Sequence, residues 1–301
     1  MKKIIIADGN NLGWMAFGIV PLTFEKQRVE AIFVGLNMIR SYLQRFNPDG
    51  FYLVWDGGRD PKRMTLYPEY KKRKKELTKA EFKERANFFT QLEKLQEVMK
   101  SLGIVQYRCK DREADDIIFN LLDEKAHSTV VSTDKDFYQV FERDNVDIYN
   151  PVKKEIVKAK AVEKYYDVPV SHFVNYRAMV GDPSDNLPGV RGIGSKWAAW
   201  LINNVFNQDW DFKETTKGQQ RMISLLFDNL KTYDLMRKLI RFRKIGKREL
   251  KEGRFGDKPK TLAELQERAV VMCKKYGFEK HLNDFVNFIR PFEVLYRKQG
   301  K

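Results

Sequence analysis

Cysteine and histidine are scarce in this chain of 301 residues. Cys109 and Cys273 are its two thiols, and His127, His172 and His281 its three imidazoles. No CxxC pair exists, which argues against a thiolate zinc site and for a reducing compartment, the cytoplasm, over a disulfide framework. The histidines stand far apart in sequence, which disfavours an imidazole metal centre. No apolar run approaches the length of a transmembrane helix. The start, Met1-Lys-Lys-Ile-Ile-Ile-Ala7, imitates a signal peptide, but Asp8 cuts the apolar stretch too early. Internal repeats and low-complexity linkers are also absent. Any metal must be held by oxygen.

Charge is the most informative quantity present. Fifty-six Lys and Arg against 41 Asp and Glu leave +15, an excess that favours a polyanionic partner, either nucleic acid or an anionic membrane surface. The length can bury a full core in one large domain or two.

Hydrophobic spacing predicts an α/β fold. Lys3–Asp8 and Phe51–Asp56 are apolar runs that each end in an acid and enter a turn, as strands buried on both faces do. The same rhythm returns at Ile104–Asp116 and Thr129–Asp134, with helical spacing over Phe24–Phe46 between the first two. Strands alternating with helices imply a parallel, doubly wound sheet whose strand C-termini share one edge. Two segments interrupt the rhythm. An insertion over about 61–101 opens on the basic run Lys71-Lys72-Arg73-Lys74-Lys75. A glycine-rich turn, Gly189–Lys196, lies between helical segments His172–Val180 and Trp197–Asn204. Arg243–Lys260, with three glycines and few apolar residues, reads as a mobile loop.

Carboxylates gather at the predicted strand ends. Asp8, Asp56, Glu113, Asp115, Asp116, Asp134 and Asp136 lie there, and Asp182 and Asp185 follow a helix in a turn. One acid at a helix N-terminus is accounted for by capping and by the helix dipole. Acids at four strand ends on one edge fit Mg²⁺ or Mn²⁺ better, two ions roughly 4 Å apart activating water and clamping a phosphodiester. If they repel one another there, removing Asp134 or Asp116 should cost no stability. The basic insertion carries interleaved aromatics (Tyr67, Tyr70, Phe82, Phe88 and Phe89), which suits single strands held by phosphate contacts and stacking. In the glycine turn, Gly192, Gly194 and Ser195 allow close approach of a phosphate, with Lys196 as a point charge. A purely structural turn fits the same spacing.

These residues resemble the structure-specific 5′-nucleases, the flap endonuclease and 5′→3′ exonuclease family. The resemblance lies in Ala7-Asp-Gly-Asn-Asn-Leu12, Trp55-Asp56, Tyr67-Pro-Glu-Tyr-Lys71 and Glu113-Ala-Asp-Asp116. It continues in Ser132-Thr-Asp-Lys-Asp-Phe137, Met179-Val-Gly-Asp-Pro-Ser-Asp-Asn186 and Gly189-Val-Arg-Gly-Ile-Gly-Ser-Lys196. Together they cover about the first two-thirds of the chain. The resemblance implies a nuclease domain over 1–165 with a helical arch as its insertion. A helical region over 166–301 would follow, with a helix-hairpin-helix over about 172–204 that grips duplex DNA and holds K⁺ on its carbonyls. It implies a nearer metal site of Asp8, Asp56, Glu113, Asp115 and Asp116, and a second of Asp134, Asp136, Asp182 and Asp185. Lys71 would contact the scissile phosphate, with Asp116 beside it in catalysis, and Tyr70 would pack on the terminal base. The implied activity is cleavage of DNA at 5′ flaps, nicks and free 5′ ends, giving 5′-phosphate products. RNA–DNA hybrids are the rival substrate, and a DNA-junction scaffold with an idle acidic site is the non-enzymatic rival. A free-standing monomer of phage or bacterial type, in the cytoplasm of the cell or host, fits the length.

Overall fold

Ile4, Ile5, Ile6 and Ala7 offer small or β-branched side chains to both faces of an extended segment, so this stretch can form a strand covered on both sides. In a computed structural model describing residues 1–19, 21–72, 75–206 and 215–299, it is strand β1 (Lys2–Asp8). A small hairpin follows, β2 (Thr23–Phe24) and β3 (Gln27–Arg28). The remaining strands are β4 (Gly50–Val54), β5 (Val105–Tyr107), β6 (Ala126–Val131), β7 (Val146–Asn150), β8 (Glu155–Val157) and β9 (Arg254–Phe255). Seven of them form one sheet in the order β8-β7-β6-β1-β4-β5-β9. Strands β1, β4, β5, β6 and β7 run parallel, and the two edge strands run antiparallel. The fold is thus the expected α/β class. The edge strands, two and three residues long, are too short to show a period.

The chain leaves β1 toward β4 and β5, then returns to the other side of β1 as β6. Strand order reverses beside β1, and a crevice opens at such a point beyond the strand C-termini. Register makes that edge level: Asp8 lies opposite Val54, and Ala7 opposite Val131.

Side chains of alternate residues enter opposite cores, as the two-residue strand period requires. Ile6, Val54 and Val130 join one core with helix Ala114–Leu121, helix Phe173–Val180 and helix Leu230–Ile240. Ile5, Ala7, Leu53 and Val131 join the other with helices Glu30–Phe46, Lys79–Ser101, Leu262–Lys275 and Phe285–Gln299. Residues beyond 253 therefore complete a layer begun by the first hundred.

Three local readings are revised. The helical spacing from Phe24 starts as a helix only at Glu30, because Glu25 and Lys26 turn the β2–β3 hairpin with positive φ of 47° and 64°. The expected loop Arg243–Lys260 instead holds helix Lys247–Glu252 and β9, with Arg108 N donating to Gly253 O at 2.8 Å. The insertion over 61–101 divides. Helix Pro61–Leu66, capped by Asp60, and the first turns of Lys79–Ser101, capped by Thr78 and Glu81, stand at the surface. The later turns bury Phe88, Leu92, Leu95, Val98 and Met99 against the sheet. Among the described residues no helix is long and apolar enough to cross a membrane.

Helices Phe173–Val180 and Ser195–Leu201 flank a tight turn. Gly181 (φ +84°) and Gly189 (φ +67°) bring two backbone strands so close that a Cβ on Gly181 would lie 2.5 Å from Leu187 O. Glycine is required at both.

A chain ended after Gly253 would lose the buried Leu265, Met272, Phe288 and Phe292 and expose their partners on helices Glu30–Phe46 and Lys79–Ser101. We expect it to aggregate, or to bind a hydrophobic dye without a cooperative melt. A soluble, cooperatively melting truncation would show that this layer is dispensable.

Candidate active site

Each strand end hands its acid to a helix N-terminus, where free N–H groups fix the carboxylate. Asp8 caps helix Gly9–Ala16, accepting from Asn11 N at 2.9 Å, and Ser132 Oγ donates to its other oxygen at 3.4 Å. Asp134 caps the 3₁₀ helix Lys135–Glu142, accepting from Asp136 N at 2.8 Å. Asp56 accepts from Ala114 N at 2.8 Å, while its own N–H donates to Asn10 Oδ1 at 3.0 Å. The carboxylate of Asp115, in the first turn of helix Ala114–Leu121, accepts no hydrogen bond among the described residues. Capping here uses one carboxylate oxygen of Asp56 and of Asp134 and leaves the other open, so structural and chemical roles coexist in one side chain.

The loop after helix Phe173–Val180 supplies the remaining acids. It closes on itself through paired bonds between Asp182 and Leu187, and is clipped to the insertion by Lys71 N to Asp185 O (2.9 Å) and Asn186 Nδ2 to Glu69 O (2.8 Å). Carboxylate oxygens of Asp136, Asp182 and Asp185 then lie within 4.8 Å of one another. Arg177 holds two of these acids, donating to Asp136 at 3.0 Å and to Asp182.

Proton affinities record the crowding. Burial, then the charges of Asp56 and Asp134, push Asp8 up to about 7. Burial and Asp134 push Asp136 to about 7, and Asp185 reaches about 6 through burial against the pull of Lys71. Asp115 rises well above the usual carboxylate range, through burial and then Asp134. Glu113 moves the other way: although burial opposes it, Lys71 and Arg63 hold its carboxyl low.

Glu113 Oε2 accepts from Lys71 Nζ at 2.8 Å and Tyr70 Oη at 2.9 Å, while Oε1 is buried without a partner. Lys71 also approaches Asp185 at 3.5 Å, so one ammonium bridges acids from two elements. An all-oxygen donor set, its proton affinities raised by burial and by neighbouring acids, with one orphaned buried oxygen, fits a divalent cation that prefers oxygen.

Not every expected residue joins this cluster. Asp116 is fully buried and turned into a fork with Arg63, at 2.7 and 3.0 Å, with Arg243 N donating to it at 2.7 Å. Its two oxygens are taken, and it anchors the returning chain. Tyr70 is 3% exposed, with its ring in the core and its hydroxyl on Glu113, so stacking on a base would require it to leave that site. Lys72 pairs with Glu69 and is exposed, as is Lys75; Arg73 and Lys74 lie outside the described residues. Gly192 (φ +95°) and Gly194 on the hairpin turn, and Ser195 and Lys196 at the start of the helix that follows, are all exposed. Sequence reasoning missed Arg63 and Arg177. Arg177 carried a faint signal, a lone cation in the otherwise uncharged helix Phe173–Val180, four residues before Gly181. Arg63 carried none, because its partner is 53 residues away.

Residues 3–167 match the 5′-3′ exonuclease N-terminal resolvase-like domain, and residues 168–253 match the 5′-3′ exonuclease C-terminal SAM fold. The 5′-3′ exonuclease of Buchnera aphidicola (subsp. Schizaphis graminum) is 28% identical over 241 residues, covering 76% of this chain and 78% of that protein. Flap endonuclease Xni of Shewanella denitrificans is 29% identical over 217 residues, covering 69% and 82%. Thermostable DNA polymerase I of Thermus filiformis is 30% identical over 207 residues, which span 67% of this chain and 24% of the polymerase. The fold is shared with a phage T5 5′-exonuclease carrying zinc, at TM-score 0.66 and 20% identity over 91% of this chain and 99% of that one. It is also shared with a phage T5 flap endonuclease in complex with DNA and metal ions, at TM-score 0.63 and 20% identity over 96% and 100%.

Two outcomes test the site. Asp116→Asn should cost about 3 kcal/mol or more in urea unfolding, because it leaves the buried Arg63 without its counter-charge. This reverses the expectation that removing the acid is harmless, and a loss below about 1 kcal/mol would show that Arg63 finds another partner. Asp8 keeps its proton in the fold up to about 7 but loses it near 3.8 when unfolded. In EDTA its burial therefore costs stability progressively as pH rises through that window, and the full cost remains above it. Asp8→Asn keeps the cap and should flatten the fall in melting temperature; an unchanged slope would assign the fall to other groups.

Proposed function

The chain belongs to the 5′-3′ exonuclease family, and on that premise we propose that it hydrolyses phosphodiester bonds of branched or nicked DNA. Cleavage acts at 5′ flaps and free 5′ ends and gives 5′-phosphate products. The observation that carries this reading is the convergence of Asp8, Asp56, Glu113, Asp115, Asp134 and Asp136 with the Asp182–Asp185 loop at one sheet edge. Lys71 and Arg177 are the cations set among them. The phage T5 neighbours, solved with metal ions and with DNA, support it.

Asp8, Asp56, Asp115 and Glu113 Oε1 would hold one Mg²⁺ or Mn²⁺, and Asp134, Asp136, Asp182 and Asp185 a second. Bound there, two such ions supply activated water and neutralise charge on the attacking and leaving oxygens. The chain's own part is placement. The helix N-termini after β1 and β6 keep Asp8 and Asp134 from turning away, and Arg177 keeps Asp136 and Asp182 together. Lys71, half-buried between Glu113 and Asp185, is a charge that an incoming phosphate would share. Its positive φ of 51° aims the backbone into that position. The exposed Lys72 and Lys75 would draw in the unpaired strand electrostatically. Gly192, Gly194, Ser195 and Lys196 would meet the duplex backbone on the hairpin turn, where K⁺ on the turn's carbonyls would add charge.

A 5′-flap duplex should be cut with Mg²⁺ and left intact in EDTA. Lys71→Ala should slow single-turnover cleavage by about two orders of magnitude or more, with a far smaller loss of affinity, because the ammonium meets charge that develops in the transition state. Equal losses would make Lys71 an ordinary phosphate contact. Failure of the unaltered protein to cut with either Mg²⁺ or Mn²⁺ would overturn the function itself.

A further inference from the structure

The foot of the insertion reaches the cleft through one turn, and that turn places Lys71. Helix Pro61–Leu66 ends at Tyr67, whose N–H donates to Arg63 O at 2.9 Å. The next residues curl on themselves: Tyr70 N donates to Tyr67 O at 2.9 Å and Lys72 N to Glu69 O at 3.1 Å. Inside the curl Lys71 takes φ +51°, the left-handed region, which a residue with a Cβ adopts only at a cost. A strained residue of this kind persists where its surroundings over-determine it. The side chain gains from the conformation, because from it Nζ lies 2.8 Å from Glu113 Oε2 and 3.5 Å from Asp185 Oδ2.

Two hydrogen bonds to the Asp182–Leu187 loop bracket the strained residue. Asn186 Nδ2 donates to Glu69 O at 2.8 Å, two residues before Lys71, and Lys71 N donates to Asp185 O at 2.9 Å. The loop is stiff enough to act as a clip. Asp182 and Leu187 exchange N–H···O bonds at 2.8 Å each, and Ser184 N donates to Asp182 Oδ1 at 2.9 Å. Gly181 and Gly189 pack backbone on backbone at its base. Asn186 is itself left-handed, at φ +62°, a conformation that asparagine tolerates better than most residues. Tyr70 is anchored by its buried ring, and Lys72 bonds only back to Glu69 among the described residues. The backbone of Lys71 therefore depends on the bracket.

We propose that Asn186 is a positioning residue for Lys71: its amide, by holding the Glu69 carbonyl, keeps the Lys71 backbone left-handed and the ammonium in the cleft. The catalytic consequence rests on the nuclease reading, in which Lys71 meets the scissile phosphate; the placement itself does not. Asp182, Asp185 and the Asn186 amide belong to one loop, so closing that loop sets carboxylates and cation together. A phosphate that draws Lys71 from Glu113 would find the ammonium already aimed, with no ordering cost left for the moment of reaction.

Two variants remove the amide in different ways. Asn186→Gly keeps the left-handed backbone open and deletes the side chain. Asn186→Asp keeps size and stiffness but turns an acceptor toward Glu69 O. Single-turnover cleavage of a 5′-flap duplex with Mg²⁺ should slow about tenfold or more in both, while flap affinity in EDTA falls less than about threefold. In a Lys71→Ala background neither variant should slow cleavage further, because the effect passes through the ammonium. The second measurement needs no cleavage. The unaltered protein and each variant, in EDTA without DNA, meet limiting acetic anhydride, and acetylation is read by mass spectrometry. Lys71, its side chain 29% exposed and held by two carboxylates, should react more slowly than Lys72, 60% exposed, and both variants should narrow that gap. Losses that multiply in the double variants would overturn the proposal. So would an unslowed rate in either single variant, or a Lys71 reactivity that either leaves unchanged. If the unaltered protein cuts no flap, the labelling alone decides, so this proposal and the nuclease reading fail separately.

Discussion

Carboxylates from Asp8, Asp56, Asp115, Asp134, Asp136 and Asp185 are brought together where four parallel strands end, and the charges that oppose them come from distant parts of the chain. Lys71 arrives from the insertion and bridges Glu113 to Asp185. Arg177 arrives from the helix before the Asp182 loop and joins Asp136 to Asp182. Burial first, and then the charges of neighbouring acids, raise the proton affinities of Asp8, Asp136 and Asp115. The arrangement is costly in the free protein, and a divalent cation held by these oxygens would relieve that cost.

A second set of charges performs the opposite task. Arg63 and Asp116 form a fully formed buried pair, and both reach the returning segment, Arg63 through Leu239 O and Arg241 O and Asp116 through Arg243 N. Asp60 and Arg112 extend the clamp to Arg243 and Glu249. Asp116 directly follows the unpaired Asp115 and lies three positions after Glu113, yet Asp116 serves the fold and its neighbours serve the cleft. Adjacent acids on a helix point in different directions, about 100° apart, and that rotation divides their roles.

Period-two and period-3.6 spacing was enough to place Lys3–Asp8, Phe51–Val54 and Thr129–Val131 as strands on one parallel sheet, because each is an apolar run closed by an acid and a turn. It was enough to put Asp8, Asp56, Asp115 and Asp134 on one edge, since parallel strands of similar length must end together. The edge strands β8 and β9 were illegible because two or three residues carry no period, and the order of Arg243–Phe255 because its partners Asp116, Asp60 and Arg112 lie more than 100 residues away. Local sequence determined which residue types stand where strands hand over to helices. Only tertiary packing decided which of those acids meet a cation: Coulomb energy depends on separation in space, and no sequence neighbour of Asp116 announces Arg63.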